Sequence, residues 1–448
     1  MICGTHSQKQ IGRMKMDIKE LKKLADSGDA KAQNELGDMY KDGEGVEQDD
    51  KKAVKYFRMA AAQGDRRGEY NMGWMCHRGR GMKQDFEETF NWYRLAAEKG
   101  EAFAQCNLGF MYSEGSGVEQ DNVEAMKWFK LAAENGDSMA YYNIGSMYSN
   151  GEGVEQDTEE AFKWYEKAAE MGYADSQSLV GSMYLYGDTV EANHEKAFKW
   201  FKLAAEQDEV IAQFYLATLY KNGTGVEKDD KEALKWFTLS AEQGDPDAQY
   251  ALGFIYENGE GVDQDLAEST RWYRLAAEQV HIAAQYCVGW AYLYGNGIEK
   301  NESEAVKWFE LSADGGDADA QLILGRMYSK GIGVEKNESE AFNWCKLSAE
   351  QEHAEAQYFL AAMYVMGEGV KQDKKEATRL CRLSAEQGYA DAQFTLGMMF
   401  DEGDGVKEDK NEAIKWLKLA AEQGHEGAQN ELNQRIRTVK ASNKMKVK

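Results

Sequence analysis

The residues most able to do chemistry in this chain recur at fixed intervals. His281, His353 and His425 lie 72 residues apart, and Cys345 and Cys381 lie 36 apart. A shared metal would need such groups gathered around one ion. No Ser-x-x-Lys, Gly-x-Ser-x-Gly, phosphate-binding loop or His-Glu-x-x-His pattern accompanies them, and His194-Glu195 lacks the second histidine of a metal pair. No catalytic residue, metal ligand or cofactor is therefore predicted. The chain is rich instead in rings, with 11 tryptophans, 24 tyrosines and 17 phenylalanines. Large aromatic side chains are common anchors of protein interfaces.

The spacings follow from a period of 36. Ala-Gln followed by Leu-Gly starts at Ala32, Ala104, Ala248, Ala320 and Ala392, and with Ala217 for the glycine at Ala212. Every step is a multiple of 36, the signature of a repeat architecture. Eleven repeats start at 29, 65, 101 and every 36 residues up to 389–424. A half repeat (Asp17 to Gly28) precedes them and another (Ala428 to about Ile436) follows. The predicted organisation is a disordered segment 1–16, a repeat array 17–436 and a basic tail 437–448.

Each repeat reads as helix–turn–helix. In residues 29–64, Asp29 caps a first helix whose apolar stripe is Ala32, Leu36, Met39 and Tyr40. Gly43-Glu-Gly45-Val46 ends it, Asp49 opens a second helix with stripe Ala53, Tyr56, Phe57 and Ala60, and Gly64 closes that. In nine repeats the second cap is Asp or Asn with Glu three residues later, which predicts an acidic capping box. The Tyr56 slot is tryptophan in nine repeats, from Trp92 to Trp416, so it is read as core between neighbouring repeats. The Gly37 slot admits only glycine and alanine, which implies close helix contact, since interior glycine costs about 1 kcal/mol. The three histidines stand where Asp65 and Asp245 stand elsewhere, and are read as alternative caps. Two repeats separate each from the next, so helices packing 8–10 Å apart keep them too far apart to share a metal.

The pattern Ala-Gln-x-x-Leu-Gly-x-Met-Tyr, Gly-x-Gly-Val-x-x-Asp, Ala-x-Lys-Trp-Phe-x-Leu-Ala-Ala-Glu-Gln-Gly resembles the Sel1-like repeat, a relative of the tetratricopeptide repeat. It is nearly complete at Ala104 to Gly136 and Ala212 to Gly244, and covers most of the chain. The resemblance implies an all-α, right-handed superhelical solenoid that serves as an adaptor for protein complexes. Cysteine-rich members carry paired cysteines in each repeat and have been linked to β-lactams; this chain lacks such pairs. A hydrolase of that type is the enzymatic alternative, and an effector that binds host proteins in another cell is a third reading.

Partner-binding residues belong where repeats differ. Similarity to tetratricopeptide domains makes the face carrying the Asn34 and Asp38 slots the concave one. Tyr70, Trp74 and Phe110, with Phe103, form one aromatic cluster there; Tyr250, Phe254, Tyr286, Trp290 and Tyr294, with Leu293, form another. The Asn34 slot is aromatic so often that packing between successive first helices competes with binding, whereas Trp74 and Trp290 are read as partner contacts. Glu114, Glu257, Asp401 and Glu402 form an acidic rim suited to a basic peptide. A formal net charge of −25 disfavours nucleic acid. No apolar run is long enough for a membrane span, no leader is evident, and the expectation is a cytoplasmic monomer that binds a protein or peptide.

Overall fold

The structure is a computed structural model that describes residues 17–446, with side chains to residue 436. The segment 1–16 and the side chains of the 437–448 tail lie outside the described residues. Those described form 24 helices, with no strand among them. It is an all-α repeat fold.

The chain divides into two compact units, the first ending at Asp229 and the second beginning at Asp230. The first opens with the helix Ile18–Asp26. Helix pairs follow, from Ala30–Asp42 with Asp50–Ala61 to Ala174–Tyr186 with His194–Ala205, and then the single helix Val210–Asn222. The second opens with Asp230–Glu242. Its pairs run from Pro246–Asn258 with Leu266–Glu278 to Ala390–Glu402 with Lys410–Glu422, and it ends in Glu426–Lys446. Within each unit every helix packs on the one that follows it.

Helix ends explain much of the repeat. Asp29, Asp65, Asp137, Asp245 and Asp317 each accept a backbone N–H three residues on, at 2.7–3.0 Å. The three histidines do the same through Nδ1, accepting at 3.1 Å from Ala284, Ala356 and Ala428. They are caps, as their slot predicts. Each Nε2 faces a carboxylate of the preceding repeat (Asp247, Asp319 or Asp391) at 3.0–3.3 Å. The second helices are capped by Asp or Asn as expected, for example Asp121 accepting from Val123 and Glu124 at 3.0 Å. The reciprocal half of the capping box is not used. The N–H of Asp121 donates to the Tyr112 carbonyl, as that of Asp49 does to Tyr40. The glutamate turns to the tryptophan four residues on: Trp92, Trp164 and Trp236 donate Nε1–H to Glu88, Glu160 and Glu232 at 3.1 Å.

The tryptophan slot packs between neighbouring repeats, as its recurrence predicts, but it is not the most buried position of the second helix. Most of these tryptophans are half-buried, with Trp272 and Trp416 buried. Trp92, Trp128 and Trp164 lie against the core of the preceding repeat. The deepest position is one residue later, at Phe57, Tyr93, Phe129, Tyr165, Phe201, Phe237, Tyr273 and Phe309. Its ring lies on the small residue of the first helix. A Cβ on Gly73 would meet the Tyr93 ring at 2.6 Å, and one on Gly109 would meet Phe129 at 2.8 Å. At these two positions a flat ring pressed onto the backbone leaves no room for a Cβ. A different close approach fixes the second turn glycine: a Cβ on Gly153 would meet the carbonyl of Asn122, in the preceding repeat, at 2.6 Å.

The glutamine of the Ala-Gln motif ties three helices together. Gln105 Nε2 donates to the Ala97 carbonyl of the preceding second helix at 3.0 Å, and its Oε1 accepts from Asn135 Nδ2 at 2.9 Å. Gln321 does the same between Ala313 and Gln351, at 3.1 and 2.9 Å. A buried amide is thus satisfied on both sides while it caps an orphan carbonyl. The latch varies with its partner. Glu69 takes Lys99 at 2.6 Å. In residues 281–316 the partner slot holds Gly315, and Oε1 of the buried Gln285 has no protein partner.

Candidate functional site

The first helix of each repeat presents the Asn34 and Asp38 slots on one face. The Asn34 slot reaches the start of the next repeat. Asn34 Nδ2 donates to the capping Asp65 at 2.7 Å, and Tyr142, Tyr250, Tyr358 and Phe394 put rings 4.6–5.5 Å from Tyr173, His281, Tyr389 and His425. Packing between successive first helices therefore occupies this slot, which accounts for its frequent aromatic character.

In the first unit, Tyr70 is half-buried, 5.9 Å from Tyr93 and 6.1 Å from Phe103. Burial pushes its phenol above the usual tyrosine range. Phe110 is half-buried against the core around Phe129. Trp74 has cations beside its ring, Lys41 Nζ at 5.3 Å and Arg80 Cζ at 5.5 Å. Those cations are themselves paired, Lys41 with Asp38 at 3.3 Å and Arg80 with Asp50 at 2.6 Å. Trp74 thus already takes part in an internal network.

The second unit assembles more of the expected set. Trp290 stacks on Tyr294 at 5.2 Å with planes 5° apart, and meets Tyr286 edge-on at 5.9 Å and Phe309 at 5.6 Å. Phe309 is the core ring of that repeat and fixes Trp290 from below. Tyr294 is 65 % exposed and Phe254 40 %. Tyr250 stacks on His281 at 4.7 Å and lies 5.6 Å from Tyr273. Tyr273, Tyr286 and Trp290 share the wall of a cavity of about 240 Å³ with Glu257, Thr270 and Cys287. Tyr273 donates its O–H to Glu257 at 2.7 Å. Burial pushes the Cys287 thiol up to about 12, which disfavours the thiolate at neutral pH.

Two rim carboxylates are engaged inside the chain. Glu257 holds Tyr273, and Asp401 pairs with Arg435 at 2.8 Å and Lys410 at 3.3 Å. Glu114 and Glu402 are exposed. Cys76, Cys287, Cys345 and Cys381 are free. No group of His, Cys, Asp and Glu among the described residues is placed to hold a metal ion. None of the described helices is long and apolar enough to cross a membrane.

Sequence reasoning missed the cavity, because its walls come from the neighbouring repeats 245–280 and 281–316. It also missed a row of exposed leucines on the second helices: Leu95, Leu131, Leu203, Leu239, Leu311, Leu347 and Leu419. Their recurrence at one slot read as packing.

Eleven stretches match the Sel1 repeat, at 30–65, 67–101, 102–137 and on to 390–425. The structure is similar to the crystal structure of a protective antigen of uropathogenic Escherichia coli strains with an SLR fold. That match has 37% sequence identity and a TM-score of 0.85, and covers 94% of this chain and 91% of that one. It is also similar to a Sel1 repeat protein from Oxalobacter formigenes, at 34% identity and TM-score 0.51, covering 77% of this chain and 90% of that one. No curated protein matches the chain.

Proposed function

The chain belongs to the Sel1 repeat family, and we propose that it is a non-enzymatic, monomeric scaffold that binds a protein or peptide on the first-helix face of its repeats. The supporting observation is the Trp290–Tyr294 pair. It is a stacked, partly exposed aromatic surface held in place by the core ring Phe309. Rigid rings lose little conformational entropy on binding, and a pre-ordered surface lowers the cost of association. Phe254 and Tyr250 extend the surface on the preceding repeat, while Tyr70, Trp74 and Phe110 form a secondary patch in the first unit. The acidic surface favours a basic partner. The thiols of Cys287, Cys345 and Cys381 are each held near 12 by burial, which argues against cysteine-based hydrolysis at these positions.

The test is selection of peptides from a displayed random library by the folded chain, followed by titration of the selected peptides into wild type and a Trp290→Ala/Tyr294→Ala variant. A loss of tenfold or more with unchanged helicity is expected, since one interface aromatic can contribute about 2 kcal/mol. Equal affinity for both proteins would remove this face from the function.

A further inference from the structure

The cavity beside Trp290 has a composition that selects one kind of guest. Its aromatic wall is Tyr273, Tyr286 and Trp290, and its one carboxylate is Glu257. Ring faces carry negative potential and attract cations, most strongly when water is excluded. Cys287 adds no charge, because its thiol is protonated at neutral pH. At about 240 Å³ the space is smaller than the ~300–1,000 Å³ of drug-sized sites, and suits one long side chain.

Building on the scaffold reading, we infer that this cavity receives the ammonium end of a lysine side chain from the partner. The Glu257 geometry selects lysine over arginine. Tyr273 already donates to Oε2 at 2.7 Å, so a guanidinium fork across both oxygens would share Oε2 with that hydroxyl, whereas an ammonium can approach through Oε1 alone. An ammonium is a compact charge that pairs through one oxygen and keeps its other N–H groups for ring faces and water, whereas a guanidinium fork makes its strongest bond to both oxygens. The surroundings are complementary too. Residues 245–316 carry 13 acidic side chains and four basic ones. All four basic groups are already paired: Arg271 with Glu268, Arg274 with Glu278, Lys300 with Glu302 and Lys307 with Glu304. Acidic charge is left over on these two repeats, and it steers a basic segment toward them.

The test uses n-butylammonium as the lysine probe, titrated into protein labelled with 5-fluorotryptophan, with the Trp290 resonance assigned by Trp290→Phe. The expected result is a saturable shift at Trp290, absent with n-butanol and weaker with n-butylguanidinium. Glu257→Gln, which keeps an oxygen for the Tyr273 hydroxyl, should weaken the ammonium roughly tenfold. No shift, an equal response to butanol, or an unaltered Glu257→Gln would overturn the inference. If the probe fails while Trp290→Ala/Tyr294→Ala still abolishes peptide binding, only the cavity assignment falls. If the probe binds while that variant keeps its peptides, the lysine pocket stands and the scaffold face is wrong.

Discussion

Gly315→Gln should stabilise the repeat 281–316 by completing its missing latch. In other repeats a glutamine at this slot donates to the motif glutamine at 2.7–2.9 Å, as Gln207 does to Gln177 and Gln279 to Gln249. Gln285 Oε1 is buried and lacks that donor, and meeting a buried acceptor is worth about 1–3 kcal/mol. Gly315 has φ −70°, a conformation open to any residue, so removing glycine adds roughly 0.4–1 kcal/mol. Ordering the new side chain costs about 1.5 kcal/mol. A new Cβ would come within 2.8 Å of Ile282 Cγ1, but Ile282 is partly exposed and can rotate. The net gain is about 1 kcal/mol. It is read by hydrogen exchange of amides in 281–316, because a repeat array opens locally. The same substitution in a Gln285→Ala background should keep only the glycine part. Equal gains in both backgrounds, or none in either, would refute the latch.

Phe129→Ala should cost about 3–5 kcal/mol and Trp128→Ala distinctly less, because Phe129 is the buried ring on Gly109 while Trp128 is half-buried; urea unfolding of both variants decides. Lys99→Met should destabilise by roughly 1–3 kcal/mol by stranding the buried Glu69 carboxylate, and Glu69→Gln in the same chain should recover most of the loss in thermal unfolding. Burial raises Asp137 to about 6, above its unfolded value of about 3.9. Between these values the folded state holds the extra proton, so this group's contribution to stability is full below about pH 4 and falls as pH rises to 6. Asp137→Asn, which keeps a capping oxygen, should flatten that part of the curve when urea midpoints at pH 4.5 and 6.5 are compared. His353→Ala should cost about 1 kcal/mol and His353→Asp little, since both histidine and aspartate accept the cap N–H; thermal midpoints distinguish them.

The periodic features were legible because each reflects a constraint that every repeat must meet. The 36-residue spacing located the helices, the turn glycines and the histidine caps, and the restriction to Gly or Ala at the Gly37 slot announced a close contact. What period alone does not rank is depth. Trp128 and Phe129 are adjacent and both recur, yet one is half-buried at the edge of a neighbouring core and the other is buried within its own. The Ala-Gln motif marked the register, but its role depends on a residue 30 positions later, and that pairing is visible only when the second helix folds back. The aromatic slots carried the Trp290 cluster, while the cavity required knowing that Glu257 and Tyr273 meet across two helices. Variability marks Trp74 as a candidate partner contact, whereas geometry makes it an internal cation partner.

The central claim is that partners dock on the first-helix face. A photocrosslinking amino acid at Tyr294, 65 % exposed, and at Leu311, exposed on a second helix, tests it directly with the selected peptides. The scaffold account predicts crosslinks from position 294 that are lost with Trp290→Ala, and none from 311. Crosslinks from 311 alone would place binding on the leucine row and contradict it.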